Sequence, residues 1–492
     1  MLNCHCFIDM IVAIGKILLI WITSAIIALV IILPIALIYW RREFAKRREK
    51  CDKNKNKIVI GFFHPYCNAG GGGERVLWSA IQAIQKKYSN VRIVVYTGDL
   101  EADPEAILNH VRRIYNIELN PIEFIYLHKR KWVEADMYPR FTLLAQSMGS
   151  MWLGFEALQA LQPDIFIDTM GYAFTYPLFK YIGGCEVGSY THYPTISTDM
   201  LKHVYRRIIS HNNHRIIARN PFLSAAKITY YKLFALVYGW MGRCADIVMV
   251  NSSWTEDHIN SIWKCPLKTF RVYPPCDIER LVDLPLLHDE DKGDLIRIVS
   301  VAQFRPEKNH PLMLRAMFEL REILKNESLW NRIRLILIGS CRHDEDKRRV
   351  KDMEDLTKHL SLEKNVEFKL NIPYNELIRE LQIGTIGLHA MWNEHFGISI
   401  VEGMAAGLIM VANNSGGPRA DIIETQPTSR TGFLATDDRE YAEIIANIIH
   451  MSADQRSTIK HAARASVSRF SGEQFEEEFL RATEPFFRNA KQ

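Results

Sequence analysis

The chain has 492 residues, 48% hydrophobic and 24% charged, close to the averages of ordinary globular proteins. That composition excludes a disordered, collagenous or coiled-coil chain, and the length allows two large α/β domains with an attached segment. The 61 basic residues exceed the 56 acidic ones by only 5, so charge gives no reason to expect a nucleic-acid partner.

From Ile17 to Trp40 the chain reads ILLIWITSAIIALVIILPIALIYW, without a charge. As a helix this stretch would be about 36 Å long, enough to span a bilayer with some tilt. A cleaved signal peptide would have a shorter apolar core with its basic flank in front. Here the basic flank follows: Arg41, Arg42, Lys46, Arg47, Arg48, Lys50, Lys53, Lys55 and Lys57 oppose only Glu43, Glu49 and Asp52, whereas Lys16 and Asp9 precede the span. The positive-inside rule then leaves the C-terminal body in the cytosol, behind an uncleaved anchor made by residues 1–57. The nine cysteines are scattered without paired CxxC spacing, which fits a reducing compartment and offers no zinc ligand set. The sequons at Asn251, Asn326 and Asn413 would carry glycans only in a lumenal body.

Beyond Lys57 short apolar strands alternate with amphipathic helices, the signature of parallel βαβ units. Strands are expected at Ile58–Phe63, Ile93–Thr97, Ile165–Asp168, Val187–Tyr190, Ile247–Asn251 and Phe270–Tyr273. Pro274, Pro275, Pro285 and the acidic stretch His288–Asp294 then break the pattern. Alternation resumes at Ile296–Val301, Leu335–Ile338, Val366–Phe368, Ile386–His389 and Met410–Ala412, and three helical patterns at about 437–450, 453–469 and 472–488 close the chain. The economical reading is an α/β chain with two doubly wound, Rossmann-like domains, 58–280 and 295–470. Residues 471–492 would form a terminal helix packed back on the first domain.

Four stretches carry candidate chemistry. The first strand runs into His64-Pro65-Tyr66-Cys67-Asn68-Ala69 and the run Gly70, Gly71, Gly72, Gly73, with a helix expected from about Val76. A strand, glycine loop and helix N-terminus suit an anion or hydroxyl ligand, because the backbone can approach closely and free N–H groups face it. Arg75 occupies the last glycine position of a GxGxxG and no Gly-Lys-Ser/Thr follows, so neither a dinucleotide fingerprint nor a P-loop is present. A tight turn without a ligand is the plainer alternative, though four adjacent glycines lose much backbone entropy on folding.

The strand Ile298–Val301 ends in Ala302-Gln303-Phe304-Arg305-Pro306-Glu307-Lys308, which sets Arg305 and Lys308 beyond the carboxyl end of the second domain's first strand. Two cations there suit a diphosphate, against the alternative of a solvated loop. In His389–Gly407, Glu394 lies in a loop after a strand, and Glu402 on a helix that begins near Ile398, so their roles should differ. His192 follows another strand end, in Ser189–Thr195, where a purely structural histidine is equally reasonable.

The acidic triplets Asp289–Asp291 and Asp344–Asp346 read as solvated charges rather than a metal site. The segment Phe222–Met241, aromatic-rich with only Lys227 and Lys232 charged, is either a helix lying on a membrane surface or a core helix.

Together these features resemble the retaining glycosyltransferases of family 4, which have the GT-B architecture. HPYCNAGGGGERVLW, THYPTISTDM, VYPPCD, FRPEKNHP and MWNEHFGI are similar to the GDP-mannose-dependent α-1,2-mannosyltransferases of asparagine-linked glycosylation. The resemblance implies GDP-mannose as donor and a dolichyl-diphosphate-linked Man3GlcNAc2 as acceptor, extended by its fourth and fifth mannoses. It also implies a cytosolic body on the endoplasmic reticulum membrane and other mannosyltransferases of the pathway as partners, with no cofactor and no metal. By the same resemblance Arg305, Lys308 and backbone N–H groups at Phe396 and Gly397 would stabilise the leaving diphosphate. Glu394 would hold the mannose, Glu402 the ribose, and His192 would sit beside the sugar on the acceptor side. Family members usually carry an arginine five residues before the lysine; here Gln303 stands at that place, so Arg305 is inferred as the partner of Lys308. A non-catalytic sugar- or lipid-binding subunit is the rival class, and the loss of a donor or sugar motif would have favoured it.

Overall fold

The computed structural model describes residues 21, 32, 34–46, 57–200, 221–287, 293–341 and 344–489. Two parallel sheets organise the chain. The first contains β1 (Ile58–Phe63), β2 (Val91–Thr97), β3 (Glu123–Tyr126), β4 (Ile165–Asp168), β5 (Glu186–Thr191), β6 (Ile247–Val250) and β7 (Thr269–Arg271), in the order β3-β2-β1-β4-β5-β6-β7. The second contains β8 (Ile296–Val301), β9 (Ile333–Gly339), β10 (Val366–Leu370), β11 (Ile386–His389), β12 (Ile409–Asn413) and β13 (Gly432–Ala435), in the order β10-β9-β8-β11-β12-β13. Every pairing is parallel. Strand order reverses between β1 and β4 and again between β8 and β11, and open α/β sheets bind ligands at the carboxyl ends of such a pair.

Central strands such as β4 and β11 are buried along their whole length, which is why they read as unbroken apolar runs. Two strands escaped the sequence reading. β3 is an edge strand with no fully buried residue, and β13 is only four residues long and opens on a glycine.

The longer helices of the body are α1 (Gly72–Lys87), α2 (Pro104–Tyr115), α3 (Thr142–Ala160), α4 (Pro221–Gly242), α5 (Ser253–Trp263), α6 (His310–Leu324), α7 (Asp344–His359), α8 (Tyr374–Ile383), α9 (Ile398–Ala406), α10 (Asp438–His450), α11 (Ala453–Ser466) and α12 (Gly472–Asn489). α12 buries Phe475, Phe479 and Phe486 in the first sheet's core beside Trp78 of α1, so the chain's end returns across the hinge to the first domain. Phe487 stacks on Tyr88 with ring centroids 3.9 Å apart.

Residues 34–46 are helical, and Trp40 and Phe44 pack edge-on against Phe155 of α3 at 6.0 and 6.4 Å. Most of the uncharged span 17–40 lies outside the described residues, among which no helix is long and apolar enough to cross a membrane. α4 buries one face and leaves apolar side chains on the other. Tyr231, Phe234 and Tyr238 are buried, while Leu233, Leu236 and Trp240 are exposed.

The two domains meet through polar contacts between loops as well as ring contacts such as Trp254 on His395 at 5.4 Å. Asp421 of the second domain accepts the Ser253 N–H at 2.8 Å and the Tyr273 hydroxyl at 3.0 Å. Nearer the cleft, the Asn393 side-chain amide donates to Asp199 at 3.0 Å, and Asp277, paired within the first domain with Arg75 at 3.6 Å, accepts the Tyr374 hydroxyl of the second at 3.0 Å.

Candidate active site between the two sheets

On the second sheet, the loop after β8 ends in a short 3-10 turn, Pro306–Lys308, closed by Asn309 at φ +52°. This turn brings Lys308 to the end of β11. There its Nζ donates to Glu394 Oε2 at 2.5 Å, and His389 Nε2 lies 3.1 Å from the same oxygen. His389 is buried and its Nδ1 has no partner among the described residues, so the shared hydrogen belongs on Nε2, which donates. Burial by itself would raise the Glu394 carboxyl, but the His389 hydrogen bond and the Lys308 charge outweigh it and hold the group well below the usual carboxylate range. Its backbone is equally fixed: the Glu394 carbonyl accepts the Gly417 N–H at 2.8 Å, and the Asn393 N–H donates to Ser415 Oγ at 2.7 Å. Gly416 sits at φ +59°, where an added Cβ would strike the Glu394 carbonyl.

Gly397, at φ +122°, caps α9 and its carbonyl accepts the Ile400 N–H at 2.9 Å, so the N–H groups of Ile398 and Ser399 open the helix without an intrahelical acceptor. The Phe396 ring is buried against Tyr273 and Phe470, so its side chain is core and only its backbone is free for a ligand. Glu402 lies one turn into α9 and is half-buried. Burial pushes its carboxyl up to about 7, partly offset by the Arg75 guanidinium from the other domain. The two glutamates thus shift in opposite directions, Glu394 down and Glu402 up. Arg305 is exposed and, among the described residues, makes no ion pair. It does not join the Lys308–Glu394 contact, although its charge acts on Tyr193 of the first domain.

On the facing wall, α1 begins at Gly72, earlier than the Val76 expected from sequence, so half of the glycine run is already helical. Glu74 makes this possible. Its Oε2 accepts the Gly71 N–H at 2.5 Å, and its Oε1 lies 3.3 Å from His64 Nε2. The opposite nitrogen of His64, fully buried, bonds to Thr169 Oγ1 at 2.7 Å. Burial would raise the Glu74 carboxyl, yet the His64 hydrogen bond keeps it below its ordinary value. Gly70 occupies φ +77°, and Tyr115 donates to the Gly71 carbonyl at 2.8 Å.

The loop tip meets both other motifs. A methyl added at Gly72 would lie 2.7 Å from Ile398 Cδ1 at the start of α9, and one at Gly73 3.4 Å from His192 Nε2. His192 donates from Nε2 to the Thr169 carbonyl at 3.1 Å, and burial drives its pKa down to about 4, so it is neutral at physiological pH with Nδ1 left as acceptor. The glycine loop therefore meets His192 of its own domain and the N-terminus of α9 from the other.

Sequence reasoning missed His64, Glu74, Arg75, His389 and Asp199. Glu74 was legible as the third residue after a glycine N-cap, but a buried histidine at a strand end carries no local signal. Among the described residues no group of three His, Cys, Asp or Glu is arranged to hold a metal. Asp344–Asp346 open α7, where Lys347 pairs with Asp344 at 3.0 Å; Asp289–Asp291 lie outside the described residues.

Residues 57–263 match the family model described as ALG11 mannosyltransferase N-terminus, and residues 288–466 match glycosyl transferases group 1. A human protein named GDP-Man:Man(3)GlcNAc(2)-PP-Dol alpha-1,2-mannosyltransferase is 53% identical over 92% of this chain and 93% of its own length. The chain belongs to this mannosyltransferase family. Members of the same name from Dictyostelium discoideum and Kluyveromyces lactis are 47% and 38% identical, over 88% and 86% of this chain and 86% and 77% of their own. Among solved structures, Anabaena HepE in complex with UDP and glucose matches with a TM-score of 0.61 at 17% identity, over 87% of this chain and 100% of that one. Trehalose-6-phosphate synthase OtsA matches with a TM-score of 0.62 at 12% identity, over 87% and 99%. At such identities these two speak for the fold alone, a pair of facing glycosyltransferase domains.

Proposed function

We propose that this chain carries out the reaction for which its family is named, the transfer of mannose in α-1,2 linkage from GDP-mannose to a dolichyl-diphosphate-linked Man3GlcNAc2. By the family resemblance it adds the fourth and fifth mannoses. The observation that carries this reading is the Lys308–Glu394 pair, set in the loops beyond β8 and β11 at the switch point of the second sheet.

In this assignment the diphosphate lies between Lys308 and the N–H groups that open α9, where both a cation and a helix N-terminus favour negative charge. Glu394, held ionised, accepts hydrogen bonds from mannose hydroxyls, and Glu402 accepts from the ribose. Arg305, exposed at the rim, adds positive charge on the phosphate side. The bond from mannose C1 to the diphosphate breaks on the same face on which the acceptor oxygen bonds to C1, and the acceptor proton passes to the leaving phosphate. The protein then needs no nucleophile. Lys308 and the α9 amides lower the barrier by stabilising the charge that grows on the leaving group. His192, neutral, offers Nδ1 as an acceptor beside the sugar, and the glycine loop lets the backbone approach.

The uncharged span 17–40 anchors the chain in the endoplasmic reticulum membrane with the body on the cytosolic side. This is supported by the basic residues from Arg41 to Lys57, and by the packing of Trp40 and Phe44 on α3, which ties the end of the span to the body. Incubating the full-length membrane-bound protein with radiolabelled GDP-mannose and a defined lipid-linked Man3GlcNAc2 tests the activity. Products longer by two hexoses and sensitive to α-1,2-mannosidase are expected; an unextended acceptor contradicts the reading.

A further inference from the structure

The first domain holds a cavity of about 210 Å³ that the proposed reaction leaves unused. It lies between the N-terminal half of α3, the loops after β4 and β5, and Tyr238 of α4, so it opens at the carboxyl end of the first sheet. Tyr193 is one of its walls. The same ring stacks on His395 of the second domain at 5.0 Å and 19°, next to Glu394, and follows His192 directly in sequence. The cavity therefore adjoins the cleft on its acceptor side.

Its walls mix two kinds of surface. Tyr172, Phe174 and Tyr193 present aromatic rings, while Gln146, Ser147 and Ser150 donate to the carbonyls of Val133, Leu143 and Ser147 at 2.8, 2.7 and 2.6 Å, which leaves their oxygens to accept from sugar hydroxyls. None of the lining side chains is charged among the described residues, so a diphosphate would find no cation there. An isoprenoid tail would be served by a uniformly apolar wall, and the α3 side is polar. A sugar ring matches both surfaces, with its C–H face on an aromatic ring and its hydroxyls toward polar groups. The hydroxyls of Tyr172 and Tyr193 make no hydrogen bond to another described residue, which leaves them available to such a ligand.

The wall is also rigid. Buried Asp168 accepts the N–H groups of Met170 and Gly171 at 3.0 and 2.9 Å and the Tyr176 hydroxyl at 2.7 Å, which fixes the loop that carries Tyr172. Tyr238 accepts the Thr195 N–H at 3.2 Å and fixes the loop after β5. Gly171 stands at φ +88°, a turn open to glycine at little cost.

We propose that this cavity is the subsite for one neutral hexose of the acceptor glycan, seated against Tyr172 and Tyr193 beside the reaction centre. The proposal rests on the transferase reading above.

Two full-length variants test it, Ser147→Leu, which fills the cavity, and Tyr172→Phe, which removes one free hydroxyl. Both are assayed in membranes with Man3GlcNAc2 carried on full-length dolichol and on a short prenyl diphosphate. The acceptor KM should rise about tenfold or more in Ser147→Leu, and less in Tyr172→Phe. The rise should be the same on both lipid chains, with the KM for GDP-mannose unchanged. Transfer with an unaltered acceptor KM in Tyr172→Phe and in a folded Ser147→Leu overturns the subsite and leaves the transferase reading standing. A KM effect that vanishes on the short chain assigns the cavity to the isoprenoid and also overturns the proposal. Absence of transfer by the unmodified protein overturns both.

Discussion

Lys308 and Glu394 are 86 residues apart in sequence, yet the ammonium donates to the carboxylate at 2.5 Å at the mouth of the switch point between β8 and β11. The contact orders the two groups assigned to opposite ends of one scissile bond. The His389 hydrogen bond and the Lys308 charge together hold Glu394 ionised.

Replacing Lys308 by Ala should lower turnover by about 100-fold or more, the scale of a lost transition-state donor, while His389 still holds the carboxylate. Steady-state transfer rates check this, and near-normal turnover would remove Lys308 from the phosphate role. Arg305→Ala should have a smaller effect, because Arg305 is exposed and does not join the pair.

Glu402 makes a prediction with the opposite sign from that of an ordinary surface carboxylate. Its pKa is raised to about 7 in the folded chain, so the native state binds more protons than the unfolded state between about pH 4.5 and 7. Stability attributable to this group therefore falls as pH rises through that window. Glu402→Gln should gain thermal stability relative to the unmodified protein at pH 8 and not at pH 4.5, as read by melting temperature at the two values. An unchanged difference between the two pH values would show that Glu402 is not held protonated by burial.

Gly70 lies at φ +77° in the loop that Glu74 and Tyr115 hold from either side. An alanine there must adopt the left-handed region, at a cost of about 1–2 kcal/mol. Gly70→Ala should lower the melting temperature by a few degrees and reduce transfer. Full stability together with full activity would mean that the loop tolerates another path.

The fold was legible wherever burial writes itself into sequence. The central strands read directly, because parallel strands covered on both faces are continuous apolar runs. Edge strand β3 and short β13 left no such run. In the site, post-strand loops pointed to Lys308, Glu394 and His192, since switch-point position is a property of chain order. The His64–Thr169 contact, joining residues 105 apart, has no local trace and emerged only with the packing of the first domain, and the approach of Arg75 to Glu402 only with that of the two domains.

The basic run after Trp40 predicts topology as well. Protease added to sealed microsomes should digest the body beyond about residue 57, and sequons engineered into it should stay unglycosylated. A protected, glycosylated body would reverse the orientation and change the donor pool available to it.

The most direct test of the site is calorimetric titration of GDP into Glu394→Gln and Glu402→Gln. GDP contains the ribose and no mannose. Leaving a polar ligand group unpaired costs about 1–3 kcal/mol, so Glu402→Gln should weaken GDP binding by about tenfold. Glu394→Gln should leave GDP affinity nearly unchanged while lowering transfer from GDP-mannose. Equal losses of GDP affinity in the two variants would contradict the assignment of one glutamate to the sugar and the other to the nucleoside.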